Sequence, residues 1–174
     1  PVLINIYGGW DAAAMIFGVE NITDEMGEMY RAARNKLVSL VEENGGEWKR
    51  IKPTVIDKKD VPCKEVIIKG DDVDITKFPW FKNNPGDVSQ YINTGAVFME
   101  DPEIGRNVGT YRVQVKGKKK VGMNTEAGQH GWQIVMRAKK KGARSIPAAV
   151  ALGVSPVIFS MSSTKVARFG EDEL

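Results

Sequence analysis

His130 is the single histidine of the sequence, and its neighbours suggest what chemistry it could serve. It follows Gly128 and Gln129 at what reads as the entrance to a helix, where backbone N–H groups without intrahelical partners favour anions. Upstream, in NVGTYRVQVKG, Asn107 and Arg112 lie on an incoming strand of the same unit. A neutral imidazole and an amide oxygen are two reasonable ligands for a divalent cation, and a carboxylate is the expected third. Glu171, Asp172 and Glu173 stand near the end of the sequence. Arg112 offers a planar fork that can pair a carboxylate through two parallel hydrogen bonds. A histidine in this place equally serves to cap a helix, so spacing alone leaves both readings open. Strict strand alternation also puts Asn107 and Arg112 on opposite faces. Either Asn107 precedes the regular strand or Gly109 marks a bulge.

The elements that would carry these residues alternate between helix and strand, without repeats or low-complexity linkers. VLINIY reads as a strand and WDAAAMIFG as a short helix stopped by Gly18. Thr23 opens a longer helix in which Met26, Met29, Tyr30, Ala33, Leu37, Leu40 and Val41 recur at spacings of three and four until ENGG ends it. CKEVIIKG, YINTGAVFME, NVGTYRVQVKG and KKVGMN are short, β-branched and separated by turn residues, which predicts an antiparallel sheet or partly closed barrel. DPEIG between the second and third predicts a reversal. KFPWFKNNPGD predicts an irregular loop with its own small aromatic cluster. GWQIVMRAKKKG reads as a helix, and IPAAVALG and PVIFSM as buried strands, because they are nearly continuous apolar runs.

Composition narrows the classes. With 174 residues, 42% hydrophobic and 27% charged, the chain is ordinary globular material, sized for one domain. Its 25 basic and 22 acidic residues nearly balance. The lysines cluster in KGKKK and RAKKKGAR, where a solvated hairpin turn and a final helical turn account for them. No aromatic residues interleave with them as a stacking platform for bases requires, so no nucleic-acid partner is expected. A single Cys63 excludes an internal disulfide framework, and no apolar run approaches the ~20 residues of a membrane span. A soluble protein of the cytoplasm is expected.

DITKFP, YINTGAVFMEDPEIGRNVGTYR, GQHGW, IPAAVALGVSP and the closing EDEL occur in the order and spacing of UbiD-like decarboxylases, which use prenylated FMN. The resemblance covers nearly the whole chain. Its most specific segment has Thr94, Gly95, Asp101, Pro102, Gly105, Asn107, Gly109, Tyr111 and Arg112 all in place. It implies an α+β fold, a split β-barrel of flavin-binding type with flanking helices. It further implies that Asn107, His130 and Glu173 ligate a divalent metal, typically Mn²⁺, that bridges to the cofactor phosphate. Val108, Ser160 and Met161 lie where the family coordinates K⁺ through backbone oxygens. Thr110, Gln129, Met161, Ser162 and Ser163 would line the flavin together with Asn107 and His130, and Arg112 would lie beside the isoalloxazine and the substrate carboxylate as the catalytic residue. A metal next to a helix N-terminus suits a dianionic phosphate, which then meets a cation and N–H donors together.

The implied activity is a non-oxidative, reversible decarboxylation of aromatic or α,β-unsaturated acids in which a glutamate returns the proton. A flavin prenyltransferase would supply the cofactor. Members of the family are longer, and their E-(I/V)-(I/V)-x-E-G glutamates are not found in residues 1–174. The expectation is therefore a single domain or fragment, inactive in isolation, that forms a homo-oligomer or is completed by another chain. Two other classes compete: a flavin- or phosphate-binding module without catalysis, and a basic nucleic-acid binder. Bound flavin would colour the purified protein, whereas nucleic acid would shift its absorbance ratio.

Overall fold

A computed structural model describes residues 7–46 and 52–164. The strand expected over VLINIY, apart from Tyr7, and the carboxylate of Glu173 lie outside the described residues. The chain divides into two compact units, Pro1–Lys52 and Pro53–Leu174.

The first unit holds α1 (Trp10–Ile16) and α2 (Met26–Glu43). Thr23 Oγ1 accepts from the Glu25 N–H at 3.2 Å just before α2 begins. Met29 and Ala33 bury against Ala14, and Trp10 meets Tyr30 edge-on with ring centroids 4.7 Å apart. Met26, Tyr30 and Leu40 are nevertheless exposed, so the apolar stripe predicted along α2 is buried only in part. Length explains this: at ~1.5 Å per residue, a helix of 7 residues cannot cover one of 18.

The second unit opens with short 3₁₀ turns at Lys58–Asp60, Pro62–Lys64, Gly70–Asp72 and Ile75–Lys77. The strand expected at CKEVIIKG is not formed. Cys63 lies in one of these turns, and Val66, Ile67 and Ile68 are exposed with no ladder partner among the described residues. β-Branched side chains favour a pleated surface only when a neighbouring strand supplies one. The aromatic loop is as expected: Phe78 and Trp80 lie 5.3 Å apart, and Trp80 Nε1 donates to the Ile75 carbonyl at 2.7 Å.

Two open three-stranded antiparallel sheets follow. β1 (Tyr91–Ile92), β4 (Arg112–Gly117) and β5 (Lys120–Asn124) form one, in the order β1-β4-β5. β2 (Ala96–Asp101), β3 (Gly105–Thr110) and β6 (Ala148–Ala151) form the other, in the order β3-β2-β6. DPEIG is the predicted reversal between β2 and β3, with Asp101 opposite Gly105 and Gly105 at φ 82°. Ile92, Val97, Met99, Tyr111, Val113, Val115 and Ile134 make the core, Ile134 coming from α3 (His130–Lys140). The lysines of KGKKK sit around the β4–β5 turn, where Lys119 pairs with Asp71 and Lys118 with Asp74.

Two apolar runs differ from expectation. IPAAVALG does contain a strand, but among the described residues β6 pairs only with β2, and its side chains are largely exposed. PVIFSM is not a strand: Pro156–Ser162 form helix α4. Ser155 caps it by accepting from the Ile158 N–H at 3.4 Å, and Pro156 occupies the first helical position, where a missing N–H costs nothing.

Candidate functional site

The strand carrying Asn107 and Arg112 is two strands. β3 pairs regularly with β2 through Asn107 and Gly109, after which the chain passes to the other sheet at Tyr111, and Arg112 opens β4 opposite Asn124. Neither an early Asn107 nor a bulge at Gly109 resolves the facing problem; the irregularity lies between Val115 and Gly117. The change of sheet removes the alternation constraint, because Asn107 and Arg112 belong to different ladders.

Beside this crossing lies a cleft of about 240 Å³ walled by three elements. β3 and the crossing contribute Asn107, Val108, Gly109, Thr110 and Tyr111; the entrance to α3 contributes Gly128, Gln129 and His130; the end of α4 contributes Ser162, Ser163 and Thr164. Asn107 is buried at 6% exposure, and its Oδ1 accepts from the Tyr111 hydroxyl at 3.1 Å. The same hydroxyl accepts from the Gly131 N–H at 3.0 Å. Thr110 Oγ1 lies 2.8 Å from Ser162 Oγ and 3.2 Å from Ser163 Oγ, and both serine hydroxyls donate to the Phe159 carbonyl. The Gln129 side chain folds back to accept from the Glu126 N–H at 2.8 Å.

The sequence-predicted residues thus divide. Asn107, Val108, Thr110, Gln129, His130, Ser162 and Ser163 share one cleft. Arg112 is exposed and does not line it, and Ser160 and Met161 lie inside α4. The Ser160 carbonyl accepts from the Thr164 hydroxyl at 2.9 Å, and the Met161 carbonyl from the Thr164 N–H at 3.0 Å. Tyr111, Gly128 and Thr164 also wall the cleft but carried no assigned role in the sequence reading. For Tyr111 a signal existed in the glycines at 109 and 131. A Cβ on Gly109 would stand 2.6 Å from the Tyr111 ring, and one on Gly131 would collide with its hydroxyl.

The Asn107 amide and the His130 imidazole are groups of metal-ligating type on one wall, the donor chemistry that a divalent cation accepts when a carboxylate completes it. Among the described residues no three His, Cys, Asp or Glu side chains come together, and Glu173 lies outside them.

The charges near the site gather at the far end of α3. Buried Asp101 accepts from the Glu103 N–H at 2.9 Å and lies 3.6 Å from Arg137 Nε; Arg137 and Lys141 both pair with Glu103. The Glu103 N–H, then Lys141 and Arg137, hold the Asp101 carboxyl below its ordinary value of 3.8 against the opposing effect of burial. Glu103 is likewise lowered, chiefly by its hydrogen bond from Lys141. This cluster ties the β2–β3 turn to the end of the helix that begins at His130.

Comparison with known proteins places these features. Residues 54–174 match the family model of the UbiD 3-octaprenyl-4-hydroxybenzoate carboxy-lyase Rift-related domain. The phenolic acid decarboxylase of Sedimentibacter hydroxybenzoicus is 29% identical over 175 residues, covering 95% of this chain and 33% of its own. The vanillic acid decarboxylase of the same organism, in its closed form, superposes with a TM-score of 0.78 at 25% identity over 97% of this chain and 34% of that one. The UbiD-class enzyme HmfF of Pelotomaculum thermopropionicum, in an evolved dimeric form in complex with prFMN, gives a TM-score of 0.54 at 29% identity over 59% of this chain and 24% of that one. The chain spans about a third of the length of the two Sedimentibacter proteins. The matched stretch begins one residue into the second unit and carries all the described residues that wall the cleft, and the chain belongs to the UbiD family of carboxy-lyases.

Proposed function

We propose that residues 1–174 are the cofactor-cradling part of a non-oxidative, reversible (de)carboxylase acting on aromatic or α,β-unsaturated carboxylic acids, with prenylated FMN, Mn²⁺ and K⁺ as its bound groups. The observation that carries this reading is the convergence of Asn107, Thr110, Gln129, His130, Ser162 and Ser163 on one cleft from three separate elements. The two sheets would be the halves of a split barrel. Asn107 and His130 hold the divalent cation with Glu173. Thr110, Ser162 and Ser163 line the flavin, and the N–H groups opening α3 favour its anionic phosphate. Carbonyls of Val108, Ser160 and Met161 take K⁺. Arg112 pairs with the substrate carboxylate through its planar fork. When bound, prenylated FMN supplies the electron sink that loss of carbon dioxide requires. The reading includes a cytoplasmic protein supplied by a flavin prenyltransferase and assembled as a homo-oligomer or with a complementary subunit.

The test uses the full-length protein that carries this sequence, reconstituted anaerobically with Mn²⁺, K⁺ and prenylated FMN. It is offered cinnamic, hydroxybenzoic and heteroaromatic acids while carbon dioxide release is followed. Flavin absorbance that stays with the protein through gel filtration, together with release from at least one acid, is expected. Failure to retain flavin would overturn the reading.

A further inference from the structure

We propose that Tyr111 is a positioning residue: through one hydroxyl it sets both the amide of Asn107 and the start of α3, and so fixes the amide oxygen relative to the imidazole of His130. The inference rests on the proposed function, in which those two groups share a cation. The Tyr111 hydroxyl has one proton to give. It accepts from the Gly131 N–H at 3.0 Å and gives its own proton to Asn107 Oδ1 at 3.1 Å, forming a chain of two bonds from helix to strand. The first bond does the work of a helix cap. Gln129, in the capping position, makes no side-chain bond to α3 because its amide oxygen is engaged by the Glu126 N–H. Gly131 N–H is one of the donors that a helix start leaves without an intrahelical partner, and Tyr111 satisfies it from another element. The second bond orients the side-chain amide with its oxygen toward the phenol.

The socket is built for this ring. Tyr111 is 6% exposed, and its ring and hydroxyl occupy the space that side chains on Gly109 and Gly131 would need. A phenylalanine would fill the same socket and lose both bonds, which separates the hydroxyl's role from that of the ring.

The experiment compares the unsubstituted full-length protein with Tyr111→Phe and with 3-fluorotyrosine placed at 111, which keeps the hydroxyl. Mn²⁺ affinity is read from the electron paramagnetic resonance of the free ion. Exchange of the Gly131 amide and the side-chain amide resonances of Asn107 are read by NMR. In Tyr111→Phe, Mn²⁺ binding is expected to weaken about tenfold to a hundredfold, as when an outer partner of a metal ligand is lost. The Gly131 amide should exchange faster and the Asn107 resonances should move, while the fluorinated protein keeps the original affinity. Unchanged Mn²⁺ affinity in Tyr111→Phe would overturn the positioning role, as would loss of affinity with 3-fluorotyrosine. If the unsubstituted protein binds no Mn²⁺, the proposed function falls by itself. Gly131 and Asn107 then still decide the inference, which fails if neither responds to Tyr111→Phe.

Discussion

His130 occupies the first position of α3 and is only half-buried, so its side chain contributes to the cleft more than to the core. His130→Ala is therefore expected to abolish Mn²⁺ binding in calorimetric titration while lowering stability by no more than about 1 kcal/mol. Unchanged affinity would remove His130 from the metal site. The sequence marks His130 through its company, a glycine-led helix entrance with Asn107 and Arg112 on the incoming strand of the same unit. It could not place Asn107 and Arg112 on different sheets, since a change of sheet at Tyr111 leaves no trace in residue alternation. Tyr111 itself is marked only as a position of the family's most specific segment, without a role. Its hydroxyl partners come from β3 and α3, and their trace in the sequence is the pair of glycines at 109 and 131 that leave room for its ring.

The β2–β3 hairpin and α3 form the element pair on which the site depends. Asp101→Asn tests the clamp at the far end of that pair, because asparagine keeps an oxygen for the Glu103 N–H but gives up the charge facing Arg137 and Lys141. The Asp101 carboxyl titrates below 3.8 when folded. Its charge therefore stabilises the fold fully above the unfolded value, and the benefit is lost as pH falls through the folded one. The substitution should cost about 1–3 kcal/mol near pH 7. The two proteins should converge as urea titrations are repeated toward pH 3, and a constant gap across that range would count against the clamp. Hairpin and helix were both legible, from DPEIG and from the helical spacing after His130. Helix α4 was not: an apolar run satisfies a buried strand and a short helix equally, and the deciding signal was the Ser155–Pro156 start, not the run. CKEVIIKG erred the other way, as local preference without a partner strand.

Across the whole molecule, the described residues that wall the cleft all belong to the unit Pro53–Leu174. Ligand at a hundredfold over its Kd stabilises the form that binds it by about 2.7 kcal/mol. Hydrogen exchange followed by mass spectrometry should accordingly show protection rising in β3, α3 and α4 on adding Mn²⁺ and FMN, with α1 and α2 unchanged. Uniform protection of both units would contradict that localisation. The α-and-β class of the chain was readable from its periodicities. The division into two open sheets was not, because pairing order depends on contacts far apart in sequence. One consequence concerns how α3 is aimed. α3, roughly 16 Å long from its 11 residues, is fastened at its start through Tyr111 and near its end through Asp101 and Glu103, both times to the hairpin it lies against. The loop that delivers it, residues 125–127, thus shares the aiming of α3 with these two fastenings, Glu126 holding Gln129 at its entrance while the hairpin holds both of its ends.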